Sequence, residues 1–242
     1  MRAAFTGHAG GASPAPWSGL NLGLGVGDDP QRVLSHRRSV GRWLGAPLVF
    51  ATQVHGAGVR VLSADDRTAW AGQGEAAATC GEHDALVTTQ AGLGLGVLVA
   101  DCVPVLLADA RARVVGVVHA GRQGLVAGVV TTALEALVAQ GARADRVRAV
   151  VGPSACGRCY EVPERLRAEV AAVRPGTRST TSWGTPALDL PAGVVAELRA
   201  GGVRDVVPTG LCTLEDERFY SHRLASRRGT TTGRFAGVVA LV

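Results

Sequence analysis

Three residues carry the chemistry most directly legible in this sequence: His55, Cys102 and His119. His55 follows the run LVFATQV (48–54), Cys102 follows LGVLVA (95–100), and His119 closes VVGVVH (114–119). Strand ends lie at the rim of a sheet, where side chains from separate strands can converge on one point. A thiolate and two neutral imidazoles suit zinc, and three protein ligands leave a fourth position open for water or substrate. That open position is what a catalytic zinc requires. The same residues admit metal-free chemistry, with Cys102 as nucleophile and His119 as its base, as in a cysteine hydrolase or amidase. Spacing alone does not separate the two, and a lone histidine at a strand end is more often a hydrogen-bonded structural residue.

Positioning such side chains takes a framework rich in strands. LVFATQV (48–54), VRVLS (59–63) and DALVTT (84–89) read as strands, followed by LGVLVA (95–100), PVLLAD (104–109) and VVGVVHA (114–120). VRAVVG (147–152), VRDVVP (203–208) and FAGVVAL (235–241) complete the set. Residues 122–140 read as one helix, with Leu125, Val129, Ala133, Leu134 and Leu137 on one face. Residues 163–173 and 191–200 read as two more. Connections between the strands from 84 to 120 are too short for parallel crossovers, so antiparallel pairs must be present. The expected class is α+β, with mixed sheets and outer helices in a single domain spanning 1–242. The Gly/Ser/Pro-rich stretch 9–27 and the Ala/Gly-rich stretch 71–81 read as loops. GLGLG (92–96) lacks the strand-then-helix setting of a dinucleotide-binding turn.

Composition narrows the function further. Apolar content of 47% is that of a globular chain, and every basic residue is Arg. The net charge of +5 comes from scattered arginines with no basic stripe, so a nucleic-acid partner is not expected. No apolar signal-peptide core follows the N-terminus. The most apolar stretch, 93–107, is interrupted by Asp101 and Pro104 and is too short to span a bilayer. A cytoplasmic protein without a membrane partner is expected, its five cysteines reduced. Cys156 and Cys159 form a CxxC pair, but no second CxxC completes a zinc site, so a structural or incidental pair is expected. Cys80 and Cys212 read as ordinary thiols.

A series of short motifs adds to this reading. NLGLGVGDDP (21–30), TQVHG (52–56), DALVT (84–88), ADCVPVLLAD (100–109) and HAG (119–121) occur in that order. GPS (152–154), CYEV (159–162), LCT (211–213), FYSHR (219–223) and TGR (232–234) follow. Over almost its whole length the chain resembles the YfiH family, long labelled laccase-domain or multicopper polyphenol oxidase proteins. The resemblance implies an α-β-β-α sandwich of mixed sheets and places the family's zinc ligands on His55, Cys102 and His119. It implies purine nucleoside phosphorylase activity with adenosine deaminase and methylthioadenosine phosphorylase activities at the same site. Small molecules, nucleosides and phosphate, are then the partners. Bacterial relatives are also described as peptidoglycan editing factors, which fits the cysteine or zinc amidase alternative; a non-catalytic metal- or nucleoside-binding module is the third reading. The family's usual HAGWRG reads HAGRQG here, with Arg122 and Gln123, and His36 replaces its usual Asn before Arg37.

Six histidines without a His-x-His pair cannot build a trinuclear copper cluster, although copper remains an alternative to zinc in a single site. Asp101 is a candidate base or ligand-orienting carboxylate. Phosphorolysis calls for an anion cradle. The backbone N–H groups from Gly121 to Gly124, opening a helix after His119, are candidates, with Arg37, Arg223 and Arg234 as phosphate clamps. Gln53 and Asn21 could read a purine or ribose edge.

Overall fold

The computed structural model describes residues 1–66 and 79–242, so most of the expected loop at 71–81 lies outside the described residues. Two mixed sheets stack face to face. The six-stranded sheet has the order β11 (Asp205–Pro208), β8 (Arg148–Val151), β6 (Val103–Asp109), β7 (Val114–Ala120), β4 (Ala85–Thr88) and β3 (Val59–Leu62). The four-stranded sheet runs β1 (Arg2–Phe5), β12 (Phe235–Ala240), β5 (Gly94–Val99) and β2 (Leu48–Phe50). A small hairpin of β9 (Arg178–Thr180) and β10 (Pro186–Leu188) stands apart.

Period-two alternation builds the layers. On β7, Val115 and Val117 join Leu86, Leu95, Leu106 and Val239 between the sheets. Val114 and Val118 point the other way, into a core with Leu125, Val129, Leu134, Leu137 and Val194. Both faces of the strand are covered, which is why all seven of its residues are buried. The covering helices are α2 (Arg122–Ala127), α3 (Val129–Ala139) and α5 (Leu190–Ala200), with α4 (Glu164–Val173) alongside. On the outer face of the smaller sheet, α1 (Pro30–Leu44) packs Val40 and Leu44 against Phe50, Ala236 and Val238. The result is an α-β-β-α sandwich, and a last short helix, α6 (His222–Arg227), follows FYSHR.

Several elements differ from the sequence expectation, which names no strand at β1, β9 or β10 and no helix at α6. The helix expected over 122–140 is two helices, because Gly128 takes φ 89° and ends α2 in a left-handed cap. Arg174 donates to the carbonyls of Leu125 and Val126 at this helix end. Helix α1 has no counterpart among the expected elements. It is capped by Asp29, starts on Pro30 and ends on Gly45 at φ 84°.

For the site, the decisive feature is the passage from β5 to β6. Residues 100–102 carry the chain from one sheet to the other, with Asp101 at φ 89°. The antiparallel register of β6 and β7 pairs Val103 with Ala120, so Cys102 emerges across from Gly121 and beside His119.

Candidate metal centre and its cleft

The ligand atoms of His55, Cys102 and His119 all lie within 4.8 Å of one another. The Cys102 Sγ–His55 Nε2 distance is 3.7 Å, close to the roughly 3.6 Å edge of a tetrahedron drawn with zinc–sulfur and zinc–nitrogen bond lengths. The rings of His55 and His119 meet edge to face at 4.7 Å between centroids.

Asp84, fully buried, organises all of this. Its carboxylate accepts the backbone N–H of His55 at 3.0 Å and of Gly56 at 2.7 Å, holding His55 at a left-handed φ of 59°. It also accepts His119 Nδ1–H at 2.8 Å, which leaves His119 Nε2 as the ring nitrogen turned to Cys102 and available to a metal. The His119 backbone N–H donates to the Asp84 carbonyl as well. Gly121 and Gly124 form a flat seat for the His55 loop. A Cβ at 121 would stand 2.6 Å from His55 Cδ2 and 3.3 Å from Cys102 Sγ; one at 124 would stand 2.8 Å from the Gly56 carbonyl oxygen. A thiol and two imidazoles, one fixed in its tautomer by a buried carboxylate, fit a divalent thiophilic metal.

Without a metal, the same groups form an ion pair. Burial opposes charge on Cys102, but the adjacent His119 imidazolium and hydrogen bonds from both histidines outweigh it and bring the thiol down to about 6. Burial likewise opposes charge on His119, yet the Cys102 thiolate and the Asp84 carboxylate raise it to about 9. Burial also opposes charge on Asp84, and its bonds from His119 and the Gly56 and His55 amides hold it below the ordinary carboxylate value.

The trio opens into a cleft of about 680 Å³. Arg37, Arg223 and Arg234 border it, and none of the three has a carboxylate within salt-bridge reach among the described residues. Arg37 is held by its Nε bond to the Leu22 carbonyl and by stacking 4.3 Å over Phe50; burial brings it down to about 10, so it stays charged at neutral pH. Arg223 donates from Nη1 to the Glu161 carbonyl and lies over Tyr160. Arg234 donates to the carbonyls of Thr232 and Gly233.

Other candidates from the sequence fall into different roles. Asp101 borders the cleft, but its carboxylate is occupied by Thr213 Oγ1–H at 2.6 Å and the Arg223 backbone N–H at 2.7 Å. The orienting carboxylate is Asp84, which sequence reasoning placed only inside the DALVT motif. Gln53 borders the cleft with its amide bound to both backbone groups of Leu98, so it extends the sheet rather than reading a purine. Asn21 is fully buried, bonded to Gly23, Asp28 and the Arg234 N–H, and shapes the loop instead of facing a ligand. Gly121 does not border the cleft; it serves by lacking a side chain under His55, so the expected anion cradle at this helix start is not part of the cleft wall. Arg122 and Gln123 sit on a separate shallow depression with Leu166 and Glu169. His36 is buried, accepting from the Ala12 N–H and bonding the Asn21 carbonyl.

Comparison with known proteins agrees with this architecture. The family model described as multi-copper polyphenol oxidoreductase laccase matches residues 2–242. The chain belongs to this laccase-labelled family. One relative in it, a purine nucleoside phosphorylase of Streptomyces griseus, is 52% identical over 98% of this chain and 93% of its own. Another, an adenosine deaminase from an unknown prokaryotic organism, is 35% identical over 92% of this chain and 87% of its own. The crystal structure of the Bacillus licheniformis protein YfiH superposes with a TM-score of 0.87 at 29% identity, covering 99% of this chain and 92% of that one. No helix among the described residues is long and apolar enough to cross a membrane.

Proposed function

We propose that this laccase-family chain is, over residues 1–242, a single catalytic unit acting as a metal-dependent purine nucleoside phosphorylase with adenosine deaminase activity. The observation that carries the reading is one cleft joining a His55–Cys102–His119 set to three arginines that have no carboxylate partner among the described residues. The names of the relatives support the same substrate class. Zinc is the proposed metal, with copper the alternative occupant. Bound there, it would supply a Lewis-acidic centre with a position open to water or a substrate atom.

The chain's own residues do the rest. Asp84 fixes the His119 tautomer and the His55 loop, so the ligand set is formed before substrate arrives. Arg37, Arg223 and Arg234 hold phosphate by charge-assisted bonds and keep it desolvated beside the ribose. In phosphorolysis the phosphate oxygen attacks the anomeric carbon while the bond to the purine nitrogen breaks. Fixed guanidinium charge on the entering phosphate lowers the cost of orienting it. Adenosine deamination in the same cleft would instead have water attack C6 of the purine, with the exocyclic amine leaving as ammonia.

One observation favours a second reading. The Cys102 thiolate with a protonated His119 is the pair a cysteine amidase uses, and such an enzyme could edit a peptidoglycan precursor. Metal content paired with phosphate-dependent release of hypoxanthine from inosine separates the two. Zinc in the protein, with turnover abolished by Cys102→Ala, supports the phosphorylase. A metal-free protein with Cys102-dependent amidase activity and no phosphorolysis overturns it.

A further inference from the structure

The CxxC pair expected to be incidental has partners. Cys156, Cys159, Cys212 and Glu215 bring three sulfurs and a carboxylate oxygen within 4.8 Å of one another. Cys159 Sγ donates to Glu215 Oε1 at 3.3 Å, and the Cys156 backbone N–H reaches Cys212 Sγ at 3.5 Å. Cys159 and Cys212 are buried, Cys156 is half-buried and Glu215 is exposed, so the cluster has a solvent approach on one side. The pattern is C-x-x-C with C-x-x-E, one half from the loop after β8 and the other from the segment after β11.

We infer that these four residues form a second, structural site for a thiophilic divalent cation, with zinc its first occupant. Three thiolates and a carboxylate complete a closed tetrahedral shell of the structural kind, with no open position. In such a shell sulfur–sulfur edges measure about 3.8 Å, so side-chain rotation of at most about 1 Å closes the present arrangement onto an ion. A cation already stands at its mouth. Arg158, between the two cysteines of the loop, places its guanidinium 3.2 Å from Glu215, and at 70% side-chain exposure it can swing into solvent as an ion enters.

The site has consequences for the cleft although it lies outside it. The two segments it joins also hold Asp101: the Ala155 N–H donates to the Asp101 carbonyl, and Thr213 Oγ1 donates to its carboxylate. Asp101 in turn accepts the Arg223 N–H, and Tyr160 lies under the Arg223 guanidinium. An ion tying Cys156 and Cys159 to Cys212 therefore braces one wall of the cleft. This role is independent of the reaction proposed above.

The test is metal counting on protein prepared in reductant, loaded with zinc and desalted. Wild type should hold two equivalents, Cys102→Ala one, Cys212→Ser one, and the double variant none. If Cys212→Ser fails to fold, Cys156→Ser and Glu215→Gln, on the open side, replace it. Cobalt(II) adds a second readout. The sulfur-to-metal absorption per cobalt should be far stronger in Cys102→Ala, with three thiolates around the ion, than in Cys212→Ser, with one. A wild type holding one equivalent that disappears in Cys102→Ala overturns the inference. So does a Cys156–Cys159 disulfide with metal content indifferent to Cys212. Loss of the Cys102-dependent equivalent alone counts against the catalytic site and leaves this one standing.

Discussion

Replacing Gly121 by Ala should remove His55 from the metal centre without disturbing the fold. Gly121 sits at φ −73° and ψ 169°, open to any residue, so the backbone is not strained by the change. The new methyl would stand 2.6 Å from His55 Cδ2, whereas carbon–carbon contacts settle near 3.5–4.0 Å. The His55 ring must therefore retreat by about 1 Å. Metal–ligand bonds tolerate displacements of about 0.2 Å, so a shift several times larger takes the imidazole out of bonding range. Disturbing a partner one bond removed from a metal already costs about 10–100-fold in affinity. Loss of a direct ligand should then weaken zinc binding by at least about 100-fold. Competition against a chromophoric chelator measures this, with Cys212→Ser in both proteins so that a single site reports. The metal-free Tm should stay level or rise slightly, because Ala restricts the unfolded chain by about 0.4–1 kcal/mol. A Gly121→Ala protein that binds zinc with unchanged affinity would refute both the seat and the ligand role of His55.

Further expectations concern protons, the buried carboxylate and the arginines. His119, raised to about 9, stabilises the metal-free fold at low pH and loses that contribution as pH rises toward 9, whereas Cys102, lowered to about 6, contributes at high pH and loses it as pH falls toward 6. The slopes oppose, since folded and unfolded pairs each hold one proton between about 6.5 and 8.5, so metal-free stability should be flat there with respect to this pair. Zinc must expel the His119 proton, so calorimetry in buffers of different ionisation enthalpy at pH 7.5 should show about one proton released per ion, and zero would contradict the ion pair. Asp84→Asn should lower zinc affinity by about 10–100-fold and stability by roughly 1.5–3 kcal/mol, read by chelator competition and denaturant unfolding. Arg37→Gln should raise KM for phosphate by about 10–100-fold with zinc content intact; an unchanged KM would remove Arg37 from phosphate binding.

The central strands were legible because both of their faces are covered, so β5, β6 and β7 read as short apolar runs whichever side a residue points. Helix α1 escaped because its buried stripe passes through His36 and Arg37, which break the apolar period. Its signals were local: Asp29 before Pro30 and Gly45 after Leu44. The break at Gly128 was invisible to periodicity, since Leu125, Val129 and Leu137 remain on one core across it. The three candidate ligands could be chosen by residue type and strand-end position. Asp84 could not, because its partners lie 29 and 35 residues away and only the fold brings them to it. Asn21 and Gln53 looked like recognition residues by chemistry, yet local backbone groups use up their hydrogen bonds. Cys212 carried a readable signal in the C-x-x-E spacing to Glu215, a half-site that a search for paired CxxC motifs passes over.

The crossing at residues 100–102 also bears on the order in which the molecule matures. His55 follows a strand of the smaller sheet, His119 ends a strand of the larger one, and Cys102 sits on the chain that passes between them. Neither half-layer, folded alone, owns more than a fragment of the ligand set. For the proposed centre, a partly refolded chain with native strands but undocked sheets holds its thiol and imidazoles apart and should not bind the ion through all three. Metal uptake during refolding then reports the docking of the layers, an event later than the formation of the strands.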